Sequence, residues 1–169
     1  MDYVRTLEIF LYIKEGVMEA NIQTHCVVCR SVSGKERISS GPVIHSGKFW
    51  IVEHVHPPSL LGWLVIVCRR HVESLHELTA EEFREFSEIC YRVIRGLHLY
   101  FHCEKEYVAI FAEMKGFHHL HAHVIPRRKT LPPQLRGAKI FSLLKKNREE
   151  CCDPSMVEEF SLRFKQYIE

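Results

Sequence analysis

The stretch His119-Leu120-His121-Ala122-His123-Val124-Ile125-Pro126 decides the fold prediction for this chain. Its three histidines alternate with apolar residues. Because successive side chains of a β-strand point to opposite faces of the sheet, this spacing predicts a strand with all three imidazoles on one face. Leu120, Ala122 and Val124 then point into a core on the other face. A helix would scatter the histidines around its axis, so a strand is the better interpretation.

The chain as a whole has the composition of a single globular domain. It has 169 residues, of which 46% are hydrophobic and 26% charged. Its formal net charge is only +2, so the overall charge does not predict binding to nucleic acid. It contains no apolar run long enough to span a bilayer. The start, Met1 to Arg5, lacks the features of a secretory signal. We therefore expect a cytoplasmic protein with no membrane partner.

The cysteines predict a metal site rather than disulfides. There are seven of them, and an odd number in a protein without a signal peptide argues against a disulfide framework. Cys26-Val27-Val28-Cys29 could be half of a zinc site, a redox dithiol or a chance occurrence. A redox dithiol normally opens a helix after a strand, whereas residues 30–40 are polar and turn-like. Zinc is therefore the favoured interpretation.

The remaining pattern predicts an antiparallel-rich α+β fold. Thr79 and Glu82 form a capping-box signature at the start of a long amphipathic helix that runs to about His102, and Asp153-Pro154 begins a last helix. The other predicted elements are an amphipathic helix over residues 1–20, a hairpin over 42–55, and strands over 62–68 and 107–112.

A basic stretch follows the histidine strand, with no acidic residue before Glu149. We interpret it mainly as a solvated face, with phosphate contact as the alternative. Its cations are Arg127, Arg128, Lys129, Arg136, Lys139, Lys145, Lys146 and Arg148.

Three histidines on one strand could bind a metal ion or perform nucleophilic and acid–base chemistry. An all-histidine metal site would leave Cys26 and Cys29 without partners. Two thiolates and two imidazoles would close a tetrahedral zinc site instead. The central imidazole would then be free to attack phosphorus, with basic groups nearby to hold phosphate oxygens.

The run from His119 to Arg127 resembles the signature of the histidine-triad (HIT) family of nucleotide hydrolases and transferases. The run from Leu64 to Leu75 resembles the family's LVIPKxHI strand end, and Cys26 and Cys29 are similar to the zinc half-site of bacterial members. The resemblance covers about residues 26–127. It implies a roughly five-stranded sheet with one long helix packed on it and further helices at both ends of the chain. The whole chain, 1–169, would be one domain with an N-terminal helical extension (1–25), a HIT core (26–127) and a basic loop with a C-terminal helix (128–169).

The resemblance also implies a role for each histidine. His121 would be the nucleophile that attacks the α-phosphorus of a nucleotide and forms a nucleotidyl-histidine, while His123 would contact the phosphate. His71 and His119 would complete a structural Zn²⁺ site with Cys26 and Cys29. Family members commonly pair their sheets, so we expect a homodimer.

The chain departs from the family pattern at the substrate contacts. Many members carry Gly-Gln-Ser/Thr before the triad, whereas this chain has Met114-Lys115-Gly116-Phe117-His118. Lys115 could supply a cation in place of the missing amide and hydroxyl. Glu53 is the one acidic candidate for holding the ribose, and Arg127 is a further expected substrate contact.

Three functional hypotheses follow. The first is a nucleotide phosphohydrolase or nucleotidyltransferase acting on dinucleoside polyphosphates or nucleoside phosphoramidates. The second is a non-catalytic, zinc-stabilised module that binds a nucleotide or, less favoured, a nucleic acid. The third is metal-dependent hydrolysis with zinc on the triad itself.

Overall fold

The computed structural model describes residues 25–145 and 148–169. The helix expected over residues 1–20 lies outside this range. The strands are β1 (His45–Ser46), β2 (Trp50–His54), β3 (Leu64–Cys68), β4 (Lys105–Ile110) and β5 (His121–Arg127). The α-helices are α1 (Val27–Val32), α2 (Ala80–Phe101) and α3 (Pro154–Phe164). Short 3₁₀ helices span Leu75–Glu77, Pro133–Leu135, Gly137–Lys145, Arg148–Glu150 and Lys165–Tyr167; Gly137–Lys145 is called the cap helix below.

The five strands form one antiparallel sheet in the order β1-β2-β3-β5-β4. This confirms the α+β class and the antiparallel five-stranded sheet expected from the sequence. Val65 lies opposite Glu53 on one side and opposite His123 on the other. Residues directly opposite one another share a face of the sheet, so Glu53 and His123 lie in one row, roughly 10 Å apart between Cα atoms given a strand spacing of about 4.8 Å.

One face of the sheet is covered by α2 and α3. Thr79 caps α2 through its side chain and Glu82 bonds back to the Thr79 backbone, so the predicted capping box is confirmed. Leu120, Ala122 and Val124 lie in the core against this layer, as their alternation predicted. The helical residues packed there are Phe86, Ile89, Val93, Leu97, Phe160 and Phe164.

The opposite face is covered by α1 and the cap helix. Val65 and Val67 of β3 pack there against Val28 of α1 and against Ile140 and Leu143 of the cap helix. Because this second layer covers the sheet, every residue of β2 and β3 is buried. The histidines that point to this face therefore lie inside the protein rather than on an open sheet surface.

Three local expectations differ from the structure. His119 precedes β5, which begins at His121, so only two of the three histidines lie on the strand. The strand expected over 107–112 ends at Ile110, because Ala112 adopts a left-handed backbone with φ 52°. Cys26 begins a short helix, although the residues after it suggested an irregular turn. Across the described parts of the chain, every helix is too short or too polar to cross a membrane.

Candidate functional site

A cavity of about 190 Å³ lies between the sheet and the layer formed by α1 and the cap helix. Its walls are mostly apolar, and the polar residues that line it include Glu53, His121 and His123. A dry cavity of roughly 150 Å³ is large enough to bind benzene, so this one can accept an aromatic ring. The apolar walls include Val28, Ile38, Val65, Val67, Phe117 and Phe141.

His121 presents a nitrogen lone pair to this cavity. Its Nδ1 lies 2.7 Å from the carbonyl oxygen of His119, and a carbonyl can only accept a hydrogen bond. Nδ1 therefore carries the proton, and Nε2 has the free electron pair. Burial lowers the pKa of His121, which favours the neutral imidazole. A neutral, oriented imidazole of this kind can act as a nucleophile.

His123 presents a hydrogen-bond donor instead. The indole Nε1 of Trp63 donates to His123 Nδ1 at 3.0 Å, and an indole N–H can only donate. Nδ1 is therefore the acceptor, and Nε2 carries the proton. Burial, together with the neighbouring His121, lowers the pKa of His123 to about 3. The ring is held between Trp63, Phe141 and His121, whose centroids lie 5.7, 5.1 and 4.8 Å from it.

The third member of the triad lies with the cysteines. The ligand atoms of Cys26, Cys29, His71 and His119 all lie within 4.8 Å of one another. The sulfur–nitrogen separations are 3.7 Å for Cys26 and His119, 3.5 Å for Cys29 and His119, and 3.3 Å for Cys29 and His71. A tetrahedral Zn²⁺ with ordinary Zn–S and Zn–N distances requires about 3.5 Å between such ligands. The three sulfur–nitrogen separations therefore fit a zinc ion bound by this donor set.

The ring nitrogens that point away from the cysteines are also held. His119 Nε2 donates to the carbonyl of Cys68 at 2.7 Å, and His71 Nε2 lies 3.3 Å from a Glu73 carboxylate oxygen. These contacts leave each Nδ1 as the ligand, an arrangement common around protein-bound metals. Burial also lowers the pKa of His119 to about 4, which favours the neutral form that a metal requires.

Glu53 is buried and lines the cavity, in the same row as His123. The Arg37 guanidinium lies 2.9 Å from its carboxylate. Burial raises the pKa of Glu53, while Arg37 opposes the shift. Glu53 thus lies at the cavity and is paired with Arg37, a partner that the sequence did not reveal.

Lys115 and Arg127, the other two expected substrate contacts, do not line the cavity. Lys115 is exposed on the turn before β5. Arg127 is buried at the far end of β5 in an ion pair with Glu104, and six residues of strand place it roughly 20 Å from His121. Arg127 therefore lies outside the cavity.

Sequence reasoning missed two aromatic residues that organise the site. Trp63 fixes the protonated nitrogen of His123, and Phe141 of the cap helix packs on the same ring. A buried tryptophan usually donates a hydrogen bond, so the sequence weakly indicated that Trp63 has a polar partner. It gave no such indication for Phe141, because Phe141 reaches the site only through the return of the C-terminal segment over the sheet.

Comparison with known proteins identifies the family. The family model of the HIT domain matches residues 35–130, more than half of the chain. No curated protein matches the sequence.

Several solved structures share the fold at low sequence identity. A Hit-like protein involved in cell-cycle regulation from Bartonella henselae has 12% sequence identity to this chain and a TM-score of 0.64. The match covers 86% of this chain and 98% of the Bartonella chain. A zinc-bound histidine triad family protein from Mycobacterium smegmatis has 19% identity and a TM-score of 0.55, over 83% and 96%. A hypothetical histidine triad nucleotide-binding protein from Sulfolobus tokodaii has 14% identity and a TM-score of 0.65, and the match covers 85% of this chain and 91% of the Sulfolobus chain. Together with the matching family model, this fold identifies the chain as a member of the histidine-triad (HIT) family.

Proposed function

We propose that the protein is a zinc-stabilised nucleotide hydrolase or nucleotidyltransferase. It would cleave a phosphoanhydride or phosphoramidate bond at the α-phosphorus through a nucleotidyl-histidine intermediate on His121. Membership of the HIT family supports a nucleotide-binding or hydrolase-type function in general. The specific reaction rests on the orientation of two imidazoles in one cavity.

The observation that carries the proposal is the pair of hydrogen bonds that distinguishes His121 from His123. His119 accepts from Nδ1 of His121, whereas Trp63 donates to Nδ1 of His123. Two chemically identical side chains, with ring centroids 4.8 Å apart, therefore offer a lone pair and an N–H donor. A phosphoryl transfer needs both a nucleophile and a group that stabilises charge on the phosphoryl oxygens.

The steps follow from this arrangement. The lone pair on Nε2 of His121 attacks the α-phosphorus, and the bond to the leaving group breaks on the opposite side, as in-line displacement requires. A polyphosphate leaves as an anion, whereas a phosphoramidate nitrogen takes a proton from solvent and leaves as ammonia or an amine. The Nε2–H of His123 donates to a non-bridging oxygen as negative charge gathers there. Water then attacks the phosphorus of the intermediate, and the phosphorus–nitrogen bond breaks with its electron pair returning to Nε2 of His121. The nucleoside monophosphate is released, and a proton of the water passes to solvent. If an alcohol or a second phosphate replaces water, the same site acts as a transferase.

Zinc would be held by Cys26, Cys29, His71 and His119, whose donor atoms fit it. When bound, it would supply a structural cross-link between α1, the end of β3 and the start of β5. The carbonyl of His119 is the group that orients His121. The metal centre would therefore hold the nucleophile in place without contacting the substrate.

Glu53 is proposed to hold the ribose hydroxyls. It lies in the row of His123, and a span of roughly 10 Å between their Cα atoms leaves room for a ribose and its 5′-phosphate between the two side chains. The base would then fill the apolar part of the cavity near Val28 and Ile38.

The test replaces the nucleophile and leaves its surroundings intact. His121→Ala and His121→Asn should abolish release of nucleoside monophosphate from a dinucleoside polyphosphate and from a nucleoside phosphoramidate. His118→Ala removes an exposed histidine next to the triad and should leave turnover unchanged. Undiminished turnover in the His121 variants would refute the assignment.

The absence of the usual glutamine and hydroxyl before the triad keeps a non-catalytic module as the second candidate. Such a module would bind nucleotide with no turnover in the unmodified protein. Zinc on the triad itself is disfavoured by the geometry, because His119 lies with Cys26 and Cys29 and because Nε2 of His123 carries a proton while its Nδ1 accepts from Trp63.

A homodimer is part of the proposal. β4 is an edge strand of the sheet, and the apolar side chain of Val108 on it is 44% exposed. Unprotected edges are open to pairing with another strand. Light scattering on the purified protein would give the oligomeric state, and a Val108→Lys variant should shift it toward monomer.

A further inference from the structure

The cap helix presents three different faces, because a 3₁₀ helix repeats every three residues. Ile140 and Leu143 are buried in the core. Phe141 and Leu144 line the cavity that holds His121 and His123. The third face is fully exposed and consists of Lys139, Ser142 and Lys145.

The third face is a strip of positive charge that no acidic side chain of the groove neutralises. Lys139, Ser142 and Lys145 line a surface groove that has no acidic residue in its walls. Neither lysine forms an ion pair with a carboxylate within residues 25–145 and 148–169. Elsewhere in the basic stretch, Arg127 is paired with Glu104, and Arg128 is held against Leu61 and Phe101. The two lysines are thus available to an external anion.

The groove and the catalytic cavity share a wall. Phe141 lines both of them, and its ring lies 5.1 Å from that of His123. An anion in the groove therefore lies close to the group that would contact the α-phosphate. The two lysines are six residues apart, which corresponds to roughly 12 Å along a 3₁₀ helix. This length suits a chain of several phosphates better than a single one.

The direction of the groove also fits the leaving group. A nucleoside anchored toward Glu53 would occupy the β2 side of His123. Phe141 contacts the His123 ring and also packs against Trp63 and Phe111. The leaving group departs from the α-phosphorus away from the nucleophile, and Phe141 lies between the cavity and the groove, so a leaving group that passes Phe141 would enter the groove. The cap helix lies beyond the residues 35–130 that the family model matches.

We propose that Lys139, Ser142 and Lys145 form a binding strip for the distal phosphates of the leaving group, and that the substrate is accordingly a dinucleoside polyphosphate rather than a nucleoside phosphoramidate. This inference rests on the proposed function of His121. The ammonium groups would hold phosphate oxygens as charged hydrogen-bond donors, and the Ser142 hydroxyl would add a neutral one between them. A small neutral leaving group would not reach the strip.

The experiment compares two substrates that share a nucleotide and differ in the leaving group. Diadenosine tetraphosphate releases ATP, whereas adenosine phosphoramidate releases ammonia. In the Lys139→Ala/Lys145→Ala variant, kcat/KM for the tetraphosphate should fall about tenfold, as expected for two exposed charge contacts, and its dependence on salt should weaken. The value for the phosphoramidate should stay within about twofold. The matched control, Lys35→Ala/Lys129→Ala, removes two exposed lysines outside the groove and should change neither substrate.

Each other outcome overturns the proposal in a different way. An equal loss on both substrates would show that the lysines act on the nucleotide half or on the fold. An unchanged kcat/KM for the tetraphosphate, with weakened binding of a single-stranded oligonucleotide, would show that the strip binds nucleic acid. Normal, His121-dependent cleavage of the phosphoramidate alone by the unmodified protein would refute the strip and leave the proposed function standing. No cleavage of either substrate would refute both.

Discussion

Trp63→Phe tests whether one hydrogen bond sets the role of His123. Trp63 is completely buried, and its Nε1 donates to His123 Nδ1 at 3.0 Å. Phenylalanine keeps an aromatic ring in the site and removes the donor. The Nδ1 atom then either remains an unpaired buried acceptor or takes the proton from Nε2. Without the Trp63 donor the Nε2–H form loses the bond that favours it, so a smaller fraction of His123 offers an Nε2–H to the phosphate.

The size of the effect follows from the cost of an unpaired buried acceptor, which is about 1–3 kcal/mol. If 1–2 kcal/mol of this appears in the transition state, kcat/KM falls about 5- to 30-fold. The assay is hydrolysis of a dinucleoside polyphosphate, combined with ¹⁵N NMR of the His123 ring to identify the protonated nitrogen. We expect the lower rate to accompany a change in the population of the Nε2–H form.

Trp50→Phe is the matched control. Trp50 is also buried and its Nε1 donates to the carbonyl of Glu82 at 2.8 Å, but it lies on the other face of the sheet. It should lose comparable folding stability and retain activity. Equal activities in the two variants, or an unchanged Nε2–H signal from His123 in Trp63→Phe, would refute the reasoning.

Three further changes probe the metal centre, the buried histidine and the C-terminal helix. Cys29→Ser should abolish the stoichiometric zinc that elemental analysis detects. It should also lower the free energy of unfolding by about 3–4 kcal/mol when the zinc concentration is 100 to 1,000 times its dissociation constant. Retained zinc would contradict the assigned ligands. Burial lowers the pKa of His54 from 6.5 to about 4, so the unfolded chain binds a proton there that the folded protein does not. Stability is therefore lost as the pH falls from 6.5 toward 4, by about 3 kcal/mol in total, and His54→Gln should flatten urea-denaturation stability against pH in this window; an unchanged slope would rule out the contribution. Phe160→Ala should cost about 3–5 kcal/mol, because its ring packs on Phe101 and Tyr100, yet leave zinc content unchanged; a loss of zinc would show that the two layers are coupled.

The sequence predicted those features that depend on local periodicity. Alternation placed Leu120, Ala122 and Val124 in the core, and the capping box located the start of α2. The spacing of Cys26 and Cys29 predicted half of a zinc site, and the family resemblance added His71 and His119; the structure brings the four ligand atoms within 4.8 Å of one another. These patterns are readable because strand and helix periods are fixed by backbone geometry.

Features that depend on long-range packing were not predictable from the sequence. His119 leaves the strand because its side chain turns toward Cys26 and Cys29, more than eighty residues earlier in the chain. Phe141 reaches His123 through the return of the C-terminal segment. Arg127 was expected at the site because it is close to the triad in sequence, but an extended chain moves about 3.3 Å per residue. Closeness in sequence along a strand therefore means separation in space.

The central claim is that His119, His121 and His123 have separate roles, with His121 alone bonded to phosphorus during turnover. The most direct test is mass spectrometry of the protein after mixing with a dinucleoside polyphosphate and quenching at alkaline pH, where a phosphorus–nitrogen bond to histidine survives. We expect an added nucleoside monophosphate that maps to His121 and is missing in His121→Ala. An adduct on His123 or His119, or turnover with no adduct at all, would contradict the account.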